Sequence, residues 1–306
     1  MRSLLFWLRA ARAPFFTGSL APILVGTAAA YYVTRGHIQW DLALLALVSL
    51  TLLHASANLA NDFFDHLSGN DEINVSFVRP FTGGSRVIQQ GEARPWQVLA
   101  AAFVCMGTAA VIGFYLVYRS GWPILWLGLL GGLTGLFYTA PPFKFAYRGS
   151  GEPFIFLDFG LLPVLGAYFL QVGRLDLEAF WAGIPVGLLI TAILWINQFQ
   201  DLEADAAVQK RHWVVRLGRR RAAWVHVGLL AATYLSIIAA VALRLFPLTA
   251  LAALLALPLA VQAGQTALHS YDDLPRLTPA NAATVGAHLA TSVLLGLGFF
   301  FAGIIH

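Results

Sequence analysis

Nine predominantly apolar stretches, each long enough to cross roughly 30 Å of hydrocarbon as a helix, dominate this sequence of 306 residues. The chain is 58% hydrophobic and 11% charged, with a mean hydropathy of +0.71, which is more apolar surface than a soluble domain of this length can bury. A backbone in lipid must satisfy its own hydrogen bonds, so we expect an all-α polytopic membrane protein. The expected spans lie near residues 14–33, 41–60, 96–118, 122–140, 153–173, 178–199, 222–243, 246–265 and 284–304.

The basic residues orient these spans. With the N-terminus in the cytoplasm, fifteen Lys and Arg residues fall inside and four outside, as the positive-inside rule favours. The inner set is Arg2, Arg9, Arg12, Arg79, Arg86, Arg94, Lys144, Arg148, Lys210, Arg211, Arg216, Arg219, Arg220, Arg221 and Arg276; the outer set is Arg35, Arg119, Arg174 and Arg244. The net charge of +4 therefore reflects topology, with the lipid bilayer as partner and no indication of nucleic-acid binding.

The cytoplasmic connections are longer than the external ones and hold most of the polar residues. We expect one intramembrane domain, residues 1–306, with a cytoplasmic cap formed by loops 61–95, 140–152 and 200–221. A fourth cytoplasmic connection is expected at 266–283. Loops this long are uncommon unless they serve a function. Nothing in the sequence indicates an obligate protein partner.

Two clusters of Asn and Asp stand out because only 15 of the 306 residues are Asp or Glu. Their spacings of four, seven and eight residues return to one face of a helix, so each cluster presents an Asn and two Asp to a common point. Two such faces would form an anionic pocket that suits Mg²⁺ bridging to phosphate oxygens. Capping of a helix end explains one such residue but not three on one face. The clusters are Asn58, Asp62 and Asp65 after the second span, and Asn197, Asp201 and Asp205 after the sixth; the adjacent Asn61 is expected to point away.

A diphosphate held by Mg²⁺ still carries charge that Lys or Arg neutralises. Arg86 follows Gly83-Gly84-Ser85, a backbone able to approach an anion closely. The alternative for the Lys and Arg residues on this side is that they only set the topology, as the positive-inside rule describes. For Lys144 both substrate binding and this topological role remain open. The candidates for binding the substrate are Arg12, Arg79, Arg86, Lys144, Arg148 and Lys210.

Three further side chains lie near the expected pocket. Tyr138 follows the fourth span, where its ring either faces a cationic or allylic centre or belongs to an interfacial aromatic belt. Asp158 is an intramembrane acid, which indicates function unless it pairs with a nearby base. His54 lies one turn before Asn58 and is the one well-placed histidine, and no spacing of His or Cys suggests zinc.

Four motifs resemble the UbiA superfamily of intramembrane aromatic prenyltransferases. They are Asn58-Leu-Ala-Asn-Asp62-Phe-Phe-Asp65, Gly83-Gly-Ser-Arg86-Val-Ile, Tyr138-Thr-Ala-Pro-Pro-Phe-Lys144 and Asn197-x3-Asp201-x3-Asp205. The resemblance runs in order from Arg12 to about Gly218, and Tyr147-Arg-Gly-Ser-Gly-Glu152 is most similar to the MenA branch, which prenylates 1,4-dihydroxy-2-naphthoate in menaquinone synthesis. In one departure, Gly69 stands where relatives often have a further Asp, and Asp71 follows two residues later.

The resemblance implies nine transmembrane helices around a central cavity. It also implies a polyprenyl diphosphate donor, an aromatic acceptor and two Mg²⁺ held by Asp62, Asp65, Asp201 and Asp205, with Asn58 and Asn197 orienting or ligating. Metal and basic residues then neutralise the departing pyrophosphate, and the allylic cation is attacked by an electron-rich ring carbon.

Other functions remain open at this point. A UbiA-type enzyme with another acceptor (4-hydroxybenzoate, a chlorin or a glycerol phosphate) and a terpene cyclase would share the ionisation site. A cation transporter predicts acids on both sides of the membrane midplane. The clusters here lie near one face, which argues against transport.

Overall fold

The computed structural model describes residues 3–79 and 81–305, and within these the chain forms helices and turns but no strand. Eight helices are long and apolar enough to span a membrane, and a ninth, of 15 residues, is shorter at about 22 Å. This confirms the predicted all-α architecture. The nine are α1 (Ala13–Val33), α2 (Trp40–Ser68), α3 (Pro95–Ser120), α4 (Trp122–Leu136), α5 (Gly151–Val172), α6 (Leu177–Ala207), α7 (Arg219–Ala242), α8 (Leu248–Ser270) and α9 (Leu274–Ile305).

Several helices extend further into the predicted loops than hydropathy indicates. The residues from 61 to 68 and from 200 to 207 are helical, so the predicted loops 61–95 and 200–221 begin about two turns too early. The predicted 266–283 connection is wrong: it shrinks to residues 271–273, because α9 begins at Leu274. Polar residues end a hydropathy segment but do not end a helix, whose backbone hydrogen bonds continue into the interface.

The bundle is built around α1 and α6, the two most enclosed helices. The first packs on α5, α6 and α9, and the second on α5, α7 and α9, while α2 lies along α3. Their shared core includes Val25, Tyr168, Val186, Leu295 and Phe299, all almost fully buried. Many of the other core positions are Ala, which lets the helices approach closely.

Short segments cover the end of the bundle at which α2 and α6 terminate. The helix Leu4–Ala10 precedes α1, the helix Asn70–Ile73 opens the segment between α2 and α3, and the helix Trp213–Leu217 precedes α7. The segment from 69 to 94, described except for residue 80, is called the cap below. The cap and the helix ends beneath it enclose the polar residues.

Candidate active site

The C-terminal turns of α2 and α6 converge on a cavity of about 220 Å³, called the polar pocket. Asp65 lines it from α2, and Asp201 and Asp205 line it from α6. Asn58 and Asn197 lie deeper along the same walls. Five of the six residues in the two clusters that the sequence singles out therefore line one pocket.

Two asparagines of the cap bind the acids of the second cluster. The amide nitrogen of Asn70 donates to Asp205 Oδ1 at 2.9 Å, and that of Asn74 donates to Asp201 Oδ1 at 2.7 Å. Both asparagines are almost fully buried, and the amide oxygen of each has no partner among the described residues. The cap that follows α2 is thus fastened to the acids of α6.

Lys210 bridges the clusters directly. Its Nζ lies 3.3 Å from Asp205 Oδ1 and 3.8 Å from Asp65 Oδ2. Burial alone would lower the pKa of Lys210, but the two carboxylates outweigh it and raise the pKa well above its ordinary value. His212 Nε2 lies 2.9 Å from the other oxygen of Asp205, so this carboxylate is held on both sides.

Asp62, unlike the other acids of the two clusters, does not line the polar pocket. It forms an ion pair with Arg12, and it accepts hydrogen bonds from the hydroxyl of Ser85 and, at 3.2 Å, from the Ser85 amide. Gly84 makes this approach possible, since its φ is +68° and a Cβ there would lie 2.9 Å from Asp62 Oδ1. Arg12 lines the pocket in front of Asp62, and although burial would lower its pKa, the neighbouring carboxylates raise it.

Asn61 lies in the site, contrary to the expectation that it points away. Its amide nitrogen donates to Asp65 Oδ2 at 2.9 Å, and its oxygen accepts from Arg12 at 3.0 Å. The expectation was wrong because residues 61 and 65 are four apart and share a helix face.

Asp71 supplies a further acid where Gly69 interrupts the cluster. Gly69 ends α2 in the left-handed conformation, with φ of 74°, and the chain re-forms a helix at Asn70–Ile73. Asp71 then lines the polar pocket, 4% exposed, and accepts from Gln89 Nε2 at 3.1 Å. Burial and repulsion from Asp65 raise the pKa of Asp71 to about 8.

The basic residues predicted in the cap do not line the pocket. Arg86 donates to the Asp71 carbonyl at 2.5 Å and stacks its guanidinium 4.6 Å from the Phe77 ring centroid. Arg79 is exposed, with its guanidinium 5.9 Å from the same ring. Arg86 therefore holds the short helix of the cap in place, and of the two glycines before it Gly84 serves the approach to Asp62.

The basic residues after α4 also lie outside the pocket. The Nζ of Lys144 is 5.3 Å from the Tyr147 ring centroid, and the exposed Arg148 donates to the Pro142 carbonyl at 3.3 Å. Of the six predicted bases, Arg12 and Lys210 line the pocket.

Two tyrosines belong to the site in different ways. Tyr138 lines the pocket as predicted, and burial raises its pKa. Tyr147 donates to Ser68 Oγ at 3.1 Å and to Asp65 Oδ1 at 3.3 Å, which fixes the end of α2.

A second cavity of about 180 Å³, called the apolar cavity, lies between α1, α2, α3, α4 and α5. Aliphatic side chains and four glycines of α4 form most of its lining. It shares part of its wall with the polar pocket, and this junction is formed by His54, Ala57, Gly135, Asp158 and Phe159. A polar region and an apolar region thus border one another across these five residues.

The profile of the UbiA prenyltransferase family matches residues 19–278, which is most of the chain. The chain is a member of the UbiA prenyltransferase family. The resemblance stated from the four motifs is thereby confirmed, and the protein is a prenyltransferase.

Curated relatives of this prenyltransferase cover nearly its whole length. The 1,4-dihydroxy-2-naphthoate octaprenyltransferase of Escherichia coli (strain K12) is 31% identical over 299 residues, 96% of this chain and 94% of that protein. The 2-carboxy-1,4-naphthoquinone phytyltransferase of Synechocystis is 27% identical over 97% of this chain and 94% of that protein. Among solved structures, a UbiA homolog from Archaeoglobus fulgidus bound to GPP and Mg²⁺ shares the fold, with a TM-score of 0.64 at 15% identity over 94% of this chain and 99% of that chain.

The oxygen donors of the pocket fit a hard divalent cation, although no three His, Cys, Asp or Glu side chains of residues 3–79 and 81–305 already form a metal-ligand group. Four acids line the pocket against two basic residues, so carboxyl oxygens outnumber the cations there. The unpartnered amide oxygens of Asn70 and Asn74 add two donors of the type that Mg²⁺ accepts. The lining acids are Asp65, Asp71, Asp201 and Asp205.

Several residues of the site carried no signal strong enough to find them from sequence. Asn281 donates to Asn197 Oδ1 at 2.8 Å from the first turns of α9, a region predicted to be loop. His212 and Ser85 each bond an acid through a contact that only the folded chain creates. Ser85 and Tyr147 lie inside the quoted motifs, and Asn70, Asn74 and His212 lie near them, but the sequence does not rank these residues above other polar residues there.

Proposed function

We propose that this UbiA prenyltransferase transfers a polyprenyl group from its diphosphate to 1,4-dihydroxy-2-naphthoate, with two Mg²⁺ as cofactors. The observation that carries the proposal is that the polar pocket borders the apolar cavity and shares five lining residues with it. A prenyl diphosphate has the same division, an anionic head on an apolar chain, so the head suits one region and the tail the other.

The relatives support the acceptor and the cofactor. The Escherichia coli relative is named for 1,4-dihydroxy-2-naphthoate, and the Synechocystis relative for a carboxylated naphthoquinone. The Archaeoglobus fulgidus homolog was solved with a prenyl diphosphate and Mg²⁺ together.

The metal ligands in this proposal are three of the four acids predicted from sequence, Asp65, Asp201 and Asp205, with Asn58 and Asn197 beside them. The fourth, Asp62, holds Arg12 beside the pocket. Bound Mg²⁺ would supply Lewis-acid stabilisation of the pyrophosphate leaving group.

The chain's own cations act on the same leaving group. Lys210 and Arg12 line the pocket and are held there by acids, so their charges are oriented before substrate arrives. Tyr138 presents a ring to the same pocket, where it can face the positive charge that develops on the allylic carbon.

The reaction balances without an external oxidant or reductant. The bond between C1 of the donor and the diphosphate oxygen breaks, and the electron pair leaves with pyrophosphate. A ring carbon of the acceptor forms a bond to C1, and the carboxylate departs as CO₂, leaving its bonding electrons on the ring. The pocket contributes exclusion of water from the allylic cation, since the cap covers it.

We also propose that the polar pocket faces the cytoplasm. The distribution of fifteen inner against four outer basic residues supports this orientation. Among the described residues, the predicted inner Arg and Lys that contact the site come from the same end of the bundle as the cap. Arg2, also in that set, lies outside the described residues.

The test incubates the purified protein with Mg²⁺, an allylic diphosphate and separate acceptors: 1,4-dihydroxy-2-naphthoate, 4-hydroxybenzoate, a chlorin and a glycerol phosphate. We expect pyrophosphate and CO₂ in equal amounts, together with a prenylated dihydroxynaphthalene by mass. Product with another acceptor alone would replace the naphthoate, and pyrophosphate release that ignores every acceptor would support a cyclase instead.

A further inference from the structure

The junction between the two cavities contains two titratable side chains. His54 on α2 and Asp158 on α5 line both the polar pocket and the apolar cavity, and the rest of the apolar cavity is almost entirely aliphatic or glycine. They are 8% and 9% exposed. Polar side chains at this depth are costly to bury unless they bind something.

The His54 imidazole is held in a fixed orientation. Its Nδ1 lies 3.0 Å from Ser19 Oγ, and its ring packs edge-on to Phe159 and Phe16, with centroid distances of 4.5 and 5.5 Å. The described residues provide no hydrogen-bond partner to Nε2. One nitrogen therefore anchors the ring and the other remains available at the junction.

In Asp158, as in His54, one polar atom of the side chain has a partner and the other is available. Thr134 Oγ1 donates to its Oδ1 at 2.7 Å, and no described side chain donates to its Oδ2. No Lys or Arg forms an ion pair with it within the described residues, so the structure gives no support to the alternative that Asp158 only pairs with a base. The π-helical turn Leu157–Leu161 sets its position in α5, a local geometry frequent at functional sites.

The proposed function fixes which atom of the donor lies here. If the diphosphate occupies the polar pocket and the tail occupies the apolar cavity, C1 between them lies at the junction. The attacking ring carbon of the acceptor must approach C1 closely, and its ring hydroxyls then lie within a few ångströms of the same place.

We propose that His54 Nε2 and Asp158 Oδ2 bind the ring hydroxyls of the aromatic acceptor and so set its orientation towards C1. The inference rests on the proposed division of the donor between the two cavities. A hydroxyl both donates and accepts, so it suits the imidazole in either tautomer, and it donates to the free carboxyl oxygen. A site that hydrogen-bonds a hydroxyl rejects analogues that lack it, because its buried polar groups are then left unpaired.

The test is a cycle that combines enzyme variants with acceptors lacking one hydroxyl. The enzymes are wild type, His54→Leu and Asp158→Leu, and the acceptors are 1,4-dihydroxy-2-naphthoate, 1-hydroxy-2-naphthoate and 4-hydroxy-2-naphthoate. We expect each variant to lose about tenfold in kcat/KM with the dihydroxy acceptor. One of the two analogues lacks the hydroxyl that the replaced residue binds. With that analogue, the kcat/KM of the variant should lie within about twofold of the wild-type value.

Two other measurements separate binding of the acceptor from a role in folding. The donor KM, and binding of a non-reactive thiolo-diphosphate analogue of the donor, should stay within about twofold of wild type in both variants. His54→Gln and Asp158→Asn, which keep a hydrogen-bonding group, should restore most of the acceptor kcat/KM. The matched control is His226→Gln, since His226 is a buried histidine that lines neither cavity.

Equal losses with all three acceptors would overturn the proposal, as would a raised donor KM with an unchanged acceptor KM. Should wild type reject the naphthoate but accept 4-hydroxybenzoate, the proposed acceptor is wrong and the junction is tested with 4-hydroxybenzoate. A raised KM for 4-hydroxybenzoate in His54→Leu or Asp158→Leu then supports the junction, and an unchanged KM in both overturns it.

Discussion

The polar pocket and the apolar cavity are adjacent and similar in size, about 220 and 180 Å³, yet they are built by opposite means. Cross-chain hydrogen bonds and ion pairs shape the polar pocket, as in the contacts of Asn70, Asn74 and Lys210 with the acids of α6. Glycines, which have no side chain to fill the space, shape the apolar cavity. The difference indicates that a change in the pocket alters charge and geometry, whereas a change at the glycines of the cavity alters only its volume.

The glycines of α4 show how the apolar cavity stays open. Gly128, Gly131, Gly132 and Gly135 all line it. A Cβ built at Gly128, Gly132 or Gly135 would meet nothing within 4 Å, so these positions face empty space rather than a packed neighbour. A methyl group there would meet no packed neighbour.

The largest effect is expected from removal of an acid in the polar pocket. Asp201→Ala and Asp205→Ala should each lower kcat/KM by about a thousandfold for every donor length, because stabilisation of the leaving group is lost. Asp205→Ala also leaves Lys210 without its nearest partner. Steady-state assays with geranyl and octaprenyl diphosphates measure this.

Asp272→Asn is the matched control for the acids, since Asp272 is exposed in the turn between α8 and α9. It should retain wild-type activity. Wild-type turnover in both Asp201→Ala and Asp205→Ala would mean that these acids hold neither metal nor substrate.

A smaller effect is expected from replacing a lysine, and only Lys210, not Lys144, lines the polar pocket. Lys210→Ala should raise the donor KM by about ten- to a hundredfold, the value of a charge-assisted contact, while Lys144→Ala should change it by less than about threefold. The reason is that Lys210 lines the pocket and Lys144 faces the Tyr147 ring. Comparable effects at both positions would contradict the placement of the substrate in the polar pocket.

The smallest and most selective effect is expected in the apolar cavity. Gly132→Phe should reduce kcat/KM for octaprenyl diphosphate by about tenfold and leave geranyl diphosphate within about twofold, because a long tail needs the lost volume. Gly107→Phe is the control, since Gly107 is exposed on α3 outside both cavities. Loss of activity with both donor lengths would show that the cavity does not hold the tail alone.

The sequence predicts which acids line the polar pocket but not which side chains contact one another around it. Asp65, Asp201 and Asp205 were found because helical periodicity places them on one face and their charge is rare in an apolar chain. Arg86 was assigned to the substrate from the glycines before it, whereas it binds the carbonyl of Asp71. That outcome depends on the path of the cap, which turns at left-handed residues and is fastened to α6 through residues far away in the chain.

The sequence by itself determined the class of protein, the helices and the end of the bundle that carries the acids. Hydropathy and helical period are local properties, so they survive without knowledge of the neighbours. Only the tertiary structure decided which side chains meet. Asn70 and Asp205 are 135 positions apart, and His54 and Asp158 border the same junction because α2 and α5 pack together. Such pairings depend on packing across the bundle, and no local pattern encodes them.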